Sequence, residues 1–104
     1  MTKLYGIKTC DTCRKAVKAL GCDLIDVRAT PLERAELERF YTRFGAALVN
    51  TRSTTWRGLD EAERSRDPLD LLAAHPTLMK RPVIEVDGEL FLGWGKDVQT
   101  ALVR

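Results

Sequence analysis

Apolar positions along this chain switch between a strand-like run and a helical period. Lys3 to Ile7 carries Leu4, Tyr5 and Ile7 close together, a short run that suits a buried strand. Beyond it, Cys13, Ala16, Val17 and Leu20 fall at i, i+3, i+4 and i+7. That spacing predicts a helix with one apolar stripe, Lys15 and Lys18 on its outer face and Gly21 as its C-terminal stop. The strand-to-helix turn is therefore Lys8-Thr9-Cys10-Asp11. A second strand is expected over Asp23 to Val27, and Thr30-Pro31-Leu32-Glu33 reads as a helix start. There Thr caps, Pro takes the first helical position and Glu closes a capping box. Leu37, Phe40, Tyr41 and Phe44 continue that helix until Gly45.

From Ala46 to Arg66 the pattern fails, and the stretch reads as an ordered loop around Trp56. Asp67-Pro68-Leu69-Asp70 repeats the cap and proline logic, opening a helix that runs to His75 and stops at Pro76. Pro82 to Val86 and Glu89 to Leu92 flank Asp87-Gly88, the signature of a type I′ hairpin. Gly95 to Val103 reads as a last short helix. The order β-α-β-α, helical insert, β-β-α is that of a thioredoxin-like fold. It implies one α/β domain over residues 1–104, a mixed four-stranded sheet with flanking helices and a helical insertion at about 46–76.

Composition narrows the class. With 104 residues, 44% hydrophobic and 31% charged, the chain matches one globular domain with a self-supporting core. Seventeen Lys and Arg against 15 Asp and Glu leave a net charge of +2, too balanced for a histone-like or basic-tail protein, so direct nucleic-acid binding is not expected. No apolar run approaches a membrane span, and Lys3 and Lys8 interrupt any signal-peptide core, so a cytoplasmic monomer is the expectation. Three cysteines without an export signal point to thiol chemistry or packing, not a disulfide scaffold. A zinc site would need a second closely spaced pair, which Cys22 and His75 do not make, so no metal is expected.

Cys10 carries the chemistry. At the first turn of a helix, free backbone N–H groups and the positive end of the dipole favour thiolate over thiol. Lys3, Lys8, Arg14, Lys15 and Lys18 surround it in sequence against one acid, Asp11. Lowering a cysteine pKa from about 8.5 to about 6.5 raises the thiolate fraction near pH 7 from a few per cent to roughly three quarters. Cys13, one turn on, shares a face with Cys10 and is placed to resolve a mixed disulfide or sulfenic acid; it also lies on the apolar stripe. Cys22, Trp56 and Trp94 read as packing residues. His75 reads as a helix end that donates to the last carbonyls, and Arg57, Arg64 and Arg66 as a solvated face.

Three blocks carry a resemblance: Leu4 to Ala16 around Cys10-Asp11-Thr12-Cys13-Arg14, then Ser53-Thr54-Thr55-Trp56-Arg57, then His75 to Val83 through Arg81-Pro82. They resemble the arsenate reductase family that includes ArsC, Spx and YffB proteins, with the middle block most like the YffB branch. The resemblance implies that Cys10 is the catalytic cysteine and that Arg14 favours its thiolate. It implies that Arg81 helps bind the oxyanion or thiol substrate, that Pro82 faces the cysteine through a cis peptide, and that Arg52 is an oxyanion-binding arginine. It also implies glutathione as co-substrate, with no bound cofactor, and glutaredoxin or thioredoxin as reducing partner. Arsenate reductases of this type carry a histidine near the start of the cysteine loop, where this chain has Gly6, and an arginine on the last strand, where it has Leu90, Phe91 and Leu92. Two readings therefore stand: a thiol oxidoreductase whose Cys10 thiolate attacks a glutathione mixed disulfide or arsenate and is regenerated by glutathione or by Cys13, or a Spx-like regulator that binds RNA polymerase with Cys10 and Cys13 as its redox switch.

Overall fold

The computed structural model describes Met1–Val103. Strand β1 (Thr2–Gly6) leads into helix α1 (Asp11–Leu20) and strand β2 (Leu24–Asp26). Helix α2 (Arg34–Phe44) is followed by a 3₁₀ turn (Gly45–Leu48) and three short helices, α3 (Thr54–Arg57), α4 (Glu61–Arg64) and α5 (Pro68–Ala74). A second 3₁₀ turn (Pro76–Leu78) precedes strands β3 (Val83–Val86) and β4 (Glu89–Leu92) and helix α6 (Lys96–Leu102). The chain forms two compact units, Pro31–Lys80 and the sheet unit made of Met1–Thr30 with the segment from Arg81 onward. No helix among the described residues is long and apolar enough to cross a membrane.

The sheet unit has strand order β2-β1-β3-β4, mixed as expected. β1 pairs parallel with β2, with Leu4 opposite Leu24 and Gly6 opposite Asp26, and antiparallel with β3, with Leu4 opposite Ile84. The β3–β4 hairpin turns at Asp87 (φ 49°) and Gly88 (φ 88°), the two left-handed positions a type I′ turn requires, so Val86 pairs with Glu89. Leu4 and Ile84 project to one face, where they are fully buried against Cys13 and Ala16 of α1 and Val98 of α6. Val17, Leu20, Cys22, Leu24, Phe91, Trp94 and Leu102 pack around this cluster. Each large aliphatic buried here stabilises the unit by roughly 1.5–3 kcal/mol, which explains why the stripe on α1 reads so clearly in sequence. Gly21 ends α1 in the left-handed conformation (φ 62°) with its N–H on the Val17 carbonyl.

In the other unit, α2 starts later than the capping-box signal places it. Thr30 donates its N–H to the Asp26 carbonyl and so belongs to the turn after β2. Glu33 takes the N-cap with extended backbone and no side-chain cap. The 46–66 stretch is not a loop: Ser53 Oγ accepts from Trp56 N–H at 3.1 Å to start α3, and Asp60 Oδ1 accepts from Glu63 N–H at 2.8 Å to start α4. Helices of four residues are too short to display a 3.6-residue period, so the stretch carries no helical signal along its apolar positions. Asp67 and Pro68 open α5 as expected, Asp67 Oδ1 accepting from Leu69 N–H at 2.9 Å. His75 caps α5 at its C-terminal end, but its ring does not serve the last carbonyls. Its Nε2 lies 2.9 Å from Glu63 Oε2, tying α4 to the end of α5. Nor is Arg64 simply solvated: it donates to the Trp56 and Arg57 carbonyls at the end of α3 and lies over the Trp56 ring. Phe40 and Leu37 of α2 and Leu71 and Leu72 of α5 are buried, and these two helices pack together. Leu48, Leu78 and Met79 are buried too, and the Asn50 and Lys80 N–H groups bind the Leu78 and Leu48 carbonyls.

Candidate functional site

The chain reverses out of β1 in four residues, Ile7 to Cys10, closed by Cys10 N–H donating to the Ile7 carbonyl at 3.0 Å. Cys10 then serves as N-cap of α1 with extended backbone (φ −84°, ψ 118°), and its carbonyl accepts from Arg14 N–H at 3.0 Å. Its half-buried sulfur thus stands at the positive end of the helix. Burial by itself would raise the Cys10 pKa. The Cys13 N–H and thiol, then the Arg81 guanidinium through hydrogen bonding and charge, outweigh burial and hold it below the ordinary cysteine value.

Cys13 is placed for a different task. It lies one turn into α1, fully buried, in the apolar cluster with Leu4, Ala16, Ile84 and Val98. Burial first, and then the adjacent Cys10, push its thiol up to about 11, against the Ile7 backbone and Arg81, which favour the anion. Its sulfur rests on the backbone of Gly6: a Cβ built there would collide with Cys13 Sγ and come within 3.3 Å of its Cβ. The glycine noted in sequence as a departure from arsenate reductases is therefore the space that Cys13 occupies.

Arg81 acts on both thiols of this pair. Arg81–Pro82 is a cis peptide, Pro82 is buried, and its carbonyl accepts from Gly93 N–H at 2.8 Å. Arg14 is differently engaged: its Nε donates to the Lys8 carbonyl at 2.9 Å, so it binds the cysteine turn, while the cation acting on the Cys10 sulfur is Arg81. Arg52 belongs to the other unit. It is exposed in the turn before α3, its N–H on Asn50 Oδ1 at 3.0 Å, and with Asn50 and Lys80 it lines an open cavity of about 810 Å³. Cys22 is half-buried on the edge of the apolar cluster, its thiol raised by burial and by Asp23. Two residues went unremarked in sequence, Asp26 and Arg28. Their hydrogen bonds reach the Lys8 N–H and the Thr9 hydroxyl, and the only sequence hint was an acid at the end of a strand parallel to β1.

Comparison with known proteins agrees with this geometry. The model of the ArsC family matches residues 5–101. An uncharacterized protein of Haemophilus influenzae is 45% identical over 112 residues, covering 97% of this chain and 98% of its own length. The solved structure of the protein named YFFB superposes with a TM-score of 0.89 at 33% identity over 100% of both chains. The global transcriptional regulator Spx of Streptococcus pyogenes is 31% identical over 93% of this chain and 81% of its own. With a family match over residues 5–101 and a cysteine at the N-cap of the helix that follows β1, the chain belongs to the ArsC family.

Proposed function

We propose that the protein is a thiol oxidoreductase whose Cys10 thiolate attacks a glutathione mixed disulfide. The observation that carries this reading is the half-buried Cys10 at the N-cap of α1, its thiol lowered by Cys13 and Arg81. In the first step the Cys10 sulfur forms a bond to the glutathione sulfur of the substrate, and the substrate thiolate leaves. In the second, a thiolate from free glutathione attacks the Cys10-bound glutathione; oxidised glutathione departs and the Cys10 thiolate is restored. Arg81 offers the charge that stabilises each sulfur anion.

Resolution by Cys13 is the competing route. A thiol at about 11 is ionised in roughly one molecule in ten thousand at pH 7. Burial is the largest cause and persists when Cys10 is capped by glutathione, so an external thiol wins. Arsenate fits less well. A dehydrated oxyanion needs several charge-assisted donors. Arg14 spends its Nε on the Lys8 carbonyl, Gly6 has no room for a side chain above it, and β4 offers Leu90 and its apolar neighbours.

The experiment couples NADPH oxidation to glutathione and glutathione reductase with a glutathionylated peptide as substrate. Arsenate is supplied in parallel with glutathione plus glutaredoxin and with thioredoxin plus its reductase. Peptide turnover that disappears in Cys10→Ser and survives in Cys13→Ser supports the reading. Full activity in Cys10→Ser refutes it, and arsenate turnover without peptide turnover replaces it with arsenate reduction.

The identity to Spx regulators favours a second reading, a regulator that binds RNA polymerase through a protein surface, with Cys10 and Cys13 as its redox switch. A pull-down with the RNA polymerase alpha subunit tests it: capture that differs between reduced and oxidised protein supports it, and none in either state removes it.

A further inference from the structure

The turn that delivers Cys10 is short and polar, with Lys8 and Thr9 exposed, and several of its polar groups are held from other segments. Lys8 N–H donates to Asp26 Oδ2 at 2.9 Å, and the Lys8 carbonyl accepts from Arg14. Thr9 Oγ1 accepts from Arg28 Nη2 at 3.1 Å. The other Asp26 oxygen, Oδ1, takes the N–H groups of Arg28 at 2.8 Å and Ala29 at 3.3 Å. The parallel register that sets Gly6 opposite Asp26, with Val27 N–H on the Gly6 carbonyl, places this carboxylate level with the end of β1. One carboxylate thus bridges the turn before Cys10 to the turn after β2.

We propose that Asp26 and Arg28 are positioning residues for Cys10: by clamping Lys8 and Thr9 they fix the sulfur where the α1 N-terminus and Arg81 act on it. This rests on Cys10 being the nucleophile. The physical reason is distance: the field of a helix end and of one guanidinium falls away within a few ångström, so a sulfur released from its place returns toward an ordinary thiol. An ionised carboxylate suits the task because it is acceptor-only, with lone pairs for three N–H donors. The Lys8 N–H, with Arg28 and Ala29 against a smaller cost of desolvation, holds the Asp26 carboxyl below its ordinary value, so the clamp is closed at neutral pH. Asparagine has nearly the same shape but turns an NH₂ group toward one set of those donors, leaving donor facing donor.

The test is the pH dependence of iodoacetamide alkylation, with the modified cysteine located by peptide fragmentation, in wild type, Asp26→Asn and Arg28→Ala. Leu90→Ala serves as a control that lowers stability away from the turn. In Asp26→Asn the alkylation midpoint of Cys10 is expected to rise by roughly one unit, and the rate at pH 7 to fall by about 3–10-fold, with the rate above pH 10 unchanged. Arg28→Ala shifts it in the same direction by less, and carries the test alone should Asp26→Asn not fold. Leu90→Ala melts earlier and keeps the wild-type midpoint. A low wild-type midpoint that neither variant moves overturns the positioning role. A wild-type midpoint at the free-cysteine value overturns the nucleophile reading itself.

Discussion

Replacing Gly6 by alanine is the sharpest perturbation this structure offers. Gly6 ends β1 without a positive φ, so its backbone accepts alanine, and loss of glycine's freedom in the unfolded chain would by itself stabilise by about 0.5 kcal/mol. The obstacle is steric: the new methyl collides with Cys13 Sγ, and Cys13 is enclosed by Leu4, Ala16, Ile84 and Val98, so it has nowhere to retreat. Overpacking of this kind costs about 1–3 kcal/mol. The net expectation is a loss of roughly 1–2 kcal/mol, which lowers the melting temperature of a domain this size by about 5–15 °C. Cys13→Ala alone should cost about 1 kcal/mol through lost packing. The double variant should cost no more than Cys13→Ala alone, because the two changes exchange volume, leaving a favourable coupling of about 1–2 kcal/mol. Urea unfolding of the four proteins measures this directly. If Gly6→Ala melts within 2 °C of wild type, or if the two losses simply add, Cys13 does not occupy the space above Gly6.

Three further outcomes follow from the geometry. Arg81→Ala removes a hydrogen bond and a positive charge from the Cys10 sulfur, so the thiol should titrate higher and its alkylation at pH 6 should slow several-fold; Arg81→Lys, which keeps the charge, should lose less. Ser53→Ala and Asp60→Ala each delete the acceptor that starts a four-residue helix, and each should cost about 1 kcal/mol in urea unfolding, with faster hydrogen exchange confined to α3 and α4 respectively. The Glu63 carboxyl is held below its ordinary value by His75 and then Arg66, so its contribution is present above the unfolded carboxylate pKa and is lost as pH falls through the lower folded value. Glu63→Gln should therefore be less stable than wild type at pH 7 and converge with it near pH 2, as read from urea midpoints across the acid range.

Where one face of an element is buried for several residues, the chain itself announces the element. The α1 stripe, the run in β1, the Asp87-Gly88 turn and the Asp67-Pro68 start were all legible, because each rests on a local periodicity or a local backbone requirement. Cys10 at a helix N-terminus was legible for the same reason. Thr30 shows the limit of local reasoning: its capping box is sound chemistry, but the turn after β2 claims its N–H first, and α2 opens four residues later. In 46–66, three short elements hid because none is long enough to bury a periodic face.

The thiol site divides along the same line. Which cysteine stands at the helix end follows from spacing alone, and so does the turn between Cys10 and Cys13. What acts on the sulfur does not. Arg14, four residues on, proved bound to the Lys8 carbonyl, and Arg81, 71 residues away along the chain, is the cation that favours the thiolate. Cys13 over Gly6 and Asp26 under Lys8 are likewise products of strand register, in which residues distant in sequence meet at fixed depth. Helix-end polarity is a property of a few consecutive residues, so the sequence by itself determined where the nucleophile sits; charge proximity and burial are properties of three-dimensional packing, so only the tertiary structure decided how strongly each thiol is perturbed, and in which direction.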